Sequence, residues 1–186
     1  MATDQILFID AAVSPNSRTR RLAQALLSTL PGVVTTRHLE ELSLKSLDFA
    51  AISKRMQDIE RQDYQDYPLA KEFANADIIV LCVPFYDCSF PSLLKVYLEN
   101  IYVMGLVTSF SPEGRPIGLC KAKKLYYVST SGGPFDPRYG YDYWKTLCQD
   151  YFGIKEVELI SVEMIDVFPD KAERILLDKI HEITHR

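Results

Sequence analysis

The sequence predicts an α/β chain in which a parallel five-stranded sheet carries helices on both faces, a three-layer sandwich. Three observations predict it. Short, almost continuous apolar runs recur at residues 5–9, 77–83, 123–128 and 156–162, as in strands buried on both faces. The segments between them carry apolar residues at helical spacing, so strand and helix alternate, and alternation implies parallel pairing through crossover helices. No repeat or linker interrupts the 186 residues, of which 47% are hydrophobic, and one domain over residues 1–186 is expected.

Residues 5–9 (Gln-Ile-Leu-Phe-Ile) close at Asp10 and form the first strand. A polar loop, 11–20, then gives way to Leu22, Ala25, Leu26 and Leu30 at helical spacing, stopped by Pro31-Gly32. Residues 33–39 alternate weakly and are β-branched, which makes the second strand. The stretch 40–67 is polar and mixed, with a helix expected over 53–61 and no strong apolar face. A helix over 68–75 leads into the third strand, 77–83. Pro84 ends that strand because proline donates no ladder hydrogen bond, and Pro91 sits where a new helix begins. Leu93, Leu94, Tyr97, Leu98 and Ile101 give this helix a wide apolar face.

Residues 105–121 carry Gly, Pro and Ser punctuation around Phe110 and read as an irregular excursion or a hairpin. The fourth strand, 123–128, ends in the hydroxyl- and glycine-rich loop 129–135, followed by a proline- and tyrosine-rich stretch to Tyr143. A helix over 144–151, the fifth strand 156–162 and a last helix carrying Ala172, Leu176, Ile180 and Ile183 complete the chain, with Asp170 expected as the N-cap of that helix.

The formal charge of -4 and pI near 5.4 argue against nucleic acid or an anionic membrane as a partner, since phosphates need a basic stripe. Lys121, Lys123 and Lys124 are too few to make one. No basic, then apolar, leader is read at the N-terminus, and no apolar run approaches membrane-spanning length. Cys82, Cys88, Cys120 and Cys148 lack the close spacing of zinc or redox pairs, so free thiols in a cytoplasmic protein are expected. Neither GxGxxG nor GxxxxGK[ST] occurs, which excludes the dinucleotide fingerprint and the phosphate loop of nucleotide kinases. A receiver domain needs an aspartate ending its third strand, and here that strand ends in Val83-Pro84.

Ligands of open parallel sheets bind beyond the carboxyl ends of the strands, where strand order reverses. With order 2-1-3-4-5 the first, third and fourth strands are neighbours, and the loops 14–19, 85–89 and 129–135 share one edge. Asn16 and Ser17 serve either as helix caps or, with Arg18 and Thr19, as part of an anion site. Phe85, Tyr86 and Phe90 are either core beneath a loop or a shelf for something flat, and Gly132-Gly133 either a turn or a close backbone approach to a ligand. An anion site, an aromatic shelf and a glycine-rich loop on one edge suit flavin mononucleotide (FMN).

The chain resembles the FMN-dependent NADH azoreductases and related NAD(P)H quinone reductases of the flavodoxin-like fold, most closely over residues 77–133. That family's Pro-Met-Tyr-Asn-Phe loop, followed by Ile-Pro-x-x-Leu-Lys, is matched by Pro84, Phe85, Tyr86, Asp87 and Cys88, then by Phe90, Pro91, Ser92, Leu93, Leu94 and Lys95. Its Ser-x-Ser phosphate loop is matched by Ser17, Arg18 and Thr19, and its Thr-Ser-Arg-Gly-Gly loop by Ser129, Thr130, Ser131, Gly132 and Gly133. The resemblance implies a single flavodoxin-like domain, bound FMN, NADH or NADPH as electron donor, and a quinone or azo acceptor reduced in a ping-pong cycle. It also implies a homodimer with flavins at the subunit interface, giving the face Leu93, Tyr97, Ile101 a second use. Phe110 would reach over the partner's flavin, and Phe135 stands where the family has histidine, so both are expected near the acceptor. Asp87 and Cys88 depart from the family's Asn and Phe. A carboxylate beside the ring disfavours its anionic reduced form, which implies either a backbone-only contact at 87 or a lowered potential. The rival reading is a non-enzymatic electron carrier or flavin-binding module of the same fold.

Overall fold

The computed structural model describes residues 3–185; residues 1, 2 and 186 of the expected domain lie outside the described residues. The chain begins with β1 (Gln5–Asp10), α1 (Arg18–Leu27), β2 (Val33–His38), α2 (Phe49–Arg61), α3 (Pro68–Asn75), β3 (Ile78–Cys82) and α4 (Ser92–Ile101). It continues with β4 (Thr108–Phe110), β5 (Pro116–Gly118), β6 (Lys124–Thr130), α5 (Tyr141–Thr146), β7 (Glu156–Val162) and α6 (Ala172–Thr184). The main sheet is parallel in the order β2-β1-β3-β6-β7, and β4 and β5 pair antiparallel as a separate hairpin. With the hairpin set aside, this is the expected order.

Successive side chains of a strand face opposite ways, and in β1 that alternation divides two cores. Ile6 and Phe8 cluster with Leu22 and Leu26 of α1 and with Leu176 and Ile183 of α6. Leu7 and Ile9 cluster with Phe73 of α3, Leu94 and Tyr97 of α4 and Trp144 of α5. Burial on both sides is why the apolar runs are continuous rather than alternating.

Four expectations change. The helix expected over 53–61 starts earlier, at Phe49, because Asp48 caps it, its Oδ1 accepting from the Ala51 N–H at 2.8 Å. No residue of α2 is fully buried, so its sequence lacks a strong apolar face. The helix expected at 144 starts at Tyr141 and widens into a π-helical turn over Leu147–Phe152 that closes at Gly153, φ 82°. Asp170 does not cap α6; it falls in a short 3₁₀ turn, Pro169–Lys171, and Lys171 occupies the cap position without a side-chain bond.

The fourth correction concerns α4. Tyr97 and Ile101 are fully buried inside the chain's own core, so of the face Leu93, Tyr97, Ile101 only the half-buried Leu93 keeps surface for a partner. The hairpin is different: Met104, Phe110, Ile117 and Leu119 are all exposed there. Its strand β5 docks where Gly118 meets the end of the π turn, and a Cβ at Gly118 would lie 2.1 Å from the Gly153 nitrogen. Among the described residues no helix is long and apolar enough to cross a membrane.

Candidate functional site

The ladders that join β1, β3 and β6 run on past the strand ends. Ala11 N–H donates to Cys82 O (3.0 Å), Val83 N–H to Val128 O (2.8 Å) and Phe85 N–H to Thr130 O (3.1 Å). The three loops therefore leave the sheet side by side.

The first loop is fixed by the start of α1. Ser17 is the N-cap, its Oγ accepting from the Arg20 N–H at 3.2 Å. The first N–H groups of a helix have no intrahelical partner. With the Arg20 N–H capped, those of Arg18 and Thr19 are left without a partner among the described residues. The first turn holds no acidic residue and instead carries Arg18, Arg20 and Arg21. Positive charge at a helix N-terminus opposes the helix dipole, and each arginine has an acidic partner from elsewhere. Arg18 pairs with Asp166 (2.8 Å), Arg21 with Glu173 (2.6 Å) and Arg20 with Asp10.

Asp10 is the hub beneath this loop. Its side chain is fully buried at the end of β1, accepts from the Ala12 N–H (3.0 Å) and from Arg20 Nε, and lies 3.0 Å from His38 Nδ1. Arg20 also donates from Nη1 to Ser14 O (2.7 Å) and from Nη2 to Ala12 O (2.5 Å). The sequence reading took Asp10 only as the close of a strand. The signal that finds the hub is an acid at the end of a strand buried on both faces, which must have a partner. Burial, with Asp10 adding to it, pushes the neighbouring Cys82 thiol well up and leaves it protonated.

The aromatic loop is a hairpin turn. Tyr86 and Ser89 exchange backbone hydrogen bonds (2.9 and 2.8 Å), while Asp87 and Cys88 between them have φ of 49° and 63°. Positive φ at both central residues defines a type I′ turn. Asp87 and Cys88 are thus its exposed tip, whereas Phe85 turns inward, edge-on to Phe135 with ring centroids 5.0 Å apart. Ser89 Oγ donates to Tyr139 O (2.6 Å) and Phe90 stacks on Tyr143 (5.7 Å), so the tyrosine-rich segment braces the turn.

The third loop is tied on both sides. The Thr130 hydroxyl lies 2.6 Å from that of the buried Thr19, joining it to the first loop. Ser131 is buried and donates to Gly133 O (2.7 Å), a contact internal to the loop. A fourth segment, following β7, was missed by the sequence reading. The N–H groups of Met164, Ile165 and Asp166 donate to Gly133 O, Ser131 O and Gly132 O at 3.1, 3.2 and 2.9 Å. Asp166 then folds over Gly132, where an added Cβ would lie 2.3 Å from its Oδ2. The Gly132 and Gly133 N–H groups have no partner among the described residues.

Together these segments enclose a cavity of about 370 Å³. Its walls include Ser17, Arg18, Thr19, Pro84, Phe85, Tyr86, Thr130, Ser131 and Gly132 of the expected residues, joined by Ser14, Asn16, Ile165 and Asp166. Asp87, Cys88, Gly133 and Phe135 are not on the wall, although Phe135 contacts Phe85. Phe110, exposed at the end of β4, is not on it either. A larger cavity of about 540 Å³ lies among α2, α3 and residues 42–47, and shares no lining residue with the loops beyond β1, β3 and β6. The smaller one occupies the point where strand order reverses, where ligands of such sheets bind.

A family model described as the flavodoxin-like fold matches residues 4–185. The chain belongs to the flavodoxin-like fold family. An FMN-dependent NADH:quinone oxidoreductase of Rhizobium meliloti is 30% identical over 187 residues, covering 91% of this chain and 90% of that protein. One from Coprothermobacter proteolyticus is 26% identical over 192 residues, 96% of this chain and 95% of that one. The crystal structure of an azoreductase from Bacillus anthracis superposes with a TM-score of 0.82 at 22% identity, covering 98% and 97% of the two chains, a likeness of fold. In this flavodoxin-like chain the crossing from β1 to β3 has free backbone donors on one side and aromatic rings on the other.

Proposed function

We propose that the protein is an FMN-dependent oxidoreductase that uses NADH or NADPH to reduce quinones or azo compounds. The observation that carries this is the convergence of the α1 start, the Phe85-Tyr86 wall and the Gly132 loop on one cavity at the strand-order switch. The names of its full-length relatives support the same reading. The cavity's size lies in the range of small-molecule sites, roughly 300–1,000 Å³.

The residues present fit the cofactor. A phosphate would be received by the N–H groups of Arg18 and Thr19 at the positive end of α1, with the Ser17 region and the Arg18 guanidinium beside it. Phe85 and Tyr86, following Pro84, would press the ring, the Gly132 N–H would face its polar edge, and Gly133, off the wall, would act through the loop it shares with Gly132. Thr130 and Ser131 would hold the loop that presents that donor. Asp87 and Cys88 would act through the turn they form. Bound FMN would supply the redox chemistry, hydride acceptance from the nicotinamide followed by ping-pong electron delivery to the acceptor. Phe135 would shape the acceptor side through Phe85.

We further propose a single three-layer domain working as a cytoplasmic homodimer. All four cysteines are free thiols, which fits a reducing compartment. The exposed apolar residues of the hairpin, Phe110 among them, more than the largely buried face of α4, are the surface suited to a second copy. The hairpin also favours an enzyme over an electron carrier, whose flavin edge stays open. The purified protein should be yellow, or become so with FMN, bleach with NADH and recover its colour with a quinone. A colourless protein that takes up no FMN overturns the reading; tight FMN binding without turnover selects the carrier.

A further inference from the structure

We propose that Arg20 and Asp10 form a positioning pair that holds the loop between β1 and α1 in its phosphate-binding shape, so that preference for FMN over riboflavin depends on two residues that do not line the cavity. This rests on the flavin reading above and names the device that shapes its phosphate end.

Arg20 directs its side chain away from the ligand position. Nε goes to the buried Asp10, Nη1 to Ser14 O and Nη2 to Ala12 O, and the side chain is 15% exposed. Neither Arg20 nor Asp10 lines the cavity. Residues 12–16 have no strand partner, and besides the Arg20 bonds their backbone is fixed by Ser17 N–H to Ser14 O (3.2 Å) and Ala12 N–H to Asp10 (3.0 Å). One guanidinium therefore sets the positions of two loop carbonyls against a carboxylate anchored in the sheet.

The arrangement is reciprocal. In an ordinary capping box the N-cap side chain receives the N3 amide and the N3 side chain reaches back to the N-cap. Here Ser17 Oγ receives the Arg20 N–H, and the Arg20 side chain reaches back past Ser17 to the carbonyls of Ala12 and Ser14. The free N–H groups of Arg18 and Thr19 lie between those two tethers in the chain. An arginine at N3 works against the helix dipole and persists here because Asp10 offsets its charge. Arg18 is the arginine left on the cavity wall, and a phosphate would meet it there.

The test is titration of the flavin-free protein with FMN and with riboflavin, alongside hydrogen exchange of the amides in residues 12–19. In Arg20→Ala, FMN affinity should fall about tenfold to a hundredfold while riboflavin affinity changes less than about threefold, as expected when a supporting contact is lost behind a binding group. Loop amides should exchange faster. Arg20→Lys keeps the charge beside Asp10, but a compact ammonium lacks the planar fork that spans carboxylate and both carbonyls, so it should fall in between. Equal loss of both flavins, or no loss with unchanged exchange, overturns the inference. Should Arg20→Ala not fold, Arg20→Lys and Asp10→Asn decide by the same FMN-to-riboflavin ratio. Wild-type protein that binds neither flavin overturns the flavin reading itself, whereas selective wild-type binding with an unchanged ratio in the variants overturns this inference alone.

Discussion

The loop after β1 and the loop after β3 border the same cavity, yet they are held by different means. The first is anchored from below by a buried carboxylate, a guanidinium and a helix cap, and its conformation is set by charge-assisted hydrogen bonds. The second is a two-residue turn anchored from the side by ring packing and one hydroxyl, with two non-glycine residues in the left-handed region. Charge-assisted bonds are directional and suit a site whose donors must point at one atom group. Ring packing tolerates small shifts and suits a flat surface. The difference gives the two ends of the cavity different sensitivities to substitution.

The largest effect should come from the hub of the polar loop. Asp10→Ala leaves the Arg20 guanidinium and His38 without their carboxylate, and removing one partner of a buried ion pair costs about 3–5 kcal/mol. Chemical denaturation should show that loss as a lower midpoint. A change under about 1 kcal/mol would mean the pair is solvated and the contrast between the loops is false.

Next in size is the contact between the third and fourth segments. Gly132→Ala places a Cβ against Asp166 Oδ2, and because that oxygen belongs to a side chain it must swing away, breaking the pair with Arg18. Because the Asp166 side chain is 71% exposed and can move aside, the cost should be about 1 kcal/mol at most, the size of the exposed pair it breaks. In an Asp166→Ala background the same substitution should be nearly neutral, a coupling a double-mutant cycle measures. Gly133→Ala is the internal control: nothing lies within 4 Å of its added Cβ, and its effect should stay within about 0.5 kcal/mol.

What was legible from the sequence follows the same division. Continuous apolar runs place β1, β3, β6 and β7, because burial on both faces leaves a mark that needs no knowledge of neighbours. The loops beyond β1, β3 and β6 were found for the same reason, since their composition breaks from the strands they end. Asp166 was not found. It lies in an ordinary-looking stretch, and only the sheet order, which puts β7 next to β6, brings it over Gly132. Asp10 and Arg20 are ten residues apart and read separately as strand end and polar loop; their pairing needs the turn between them to fold back. The face of α4 is apolar as its periodicity says, but Tyr97 and Ile101 in it are covered by the chain's own core, because periodicity reports that a face is apolar and not what covers it.

The aromatic loop gives a prediction of opposite sign. Cys88 has φ 63° at the second central position of a type I′ turn, where glycine is preferred, and the left-handed conformation costs a residue with a side chain roughly 1–2 kcal/mol. Cys88→Gly should therefore stabilise the protein by about 1 kcal/mol after the added chain entropy of glycine is subtracted. The denaturation midpoint should rise with an unchanged slope. Asp87, which tolerates that region better, should gain less from the same change.

The smallest stability effect is expected at Arg18, and it separates folding from binding in the polar loop. The Arg18–Asp166 pair is 2.8 Å long, but its two side chains are 45% and 71% exposed. Exposed pairs contribute about 0–1 kcal/mol and are screened by salt. Arg18→Ala should leave the denaturation midpoint almost where it is, within about 0.5 kcal/mol. Its effect should appear in FMN affinity and in the salt dependence of that affinity, since it is the arginine on the cavity wall. If Arg18→Ala lowers stability as much as Asp10→Ala, the loop is held from its surface rather than from beneath, and Arg20 is no longer the residue that shapes it.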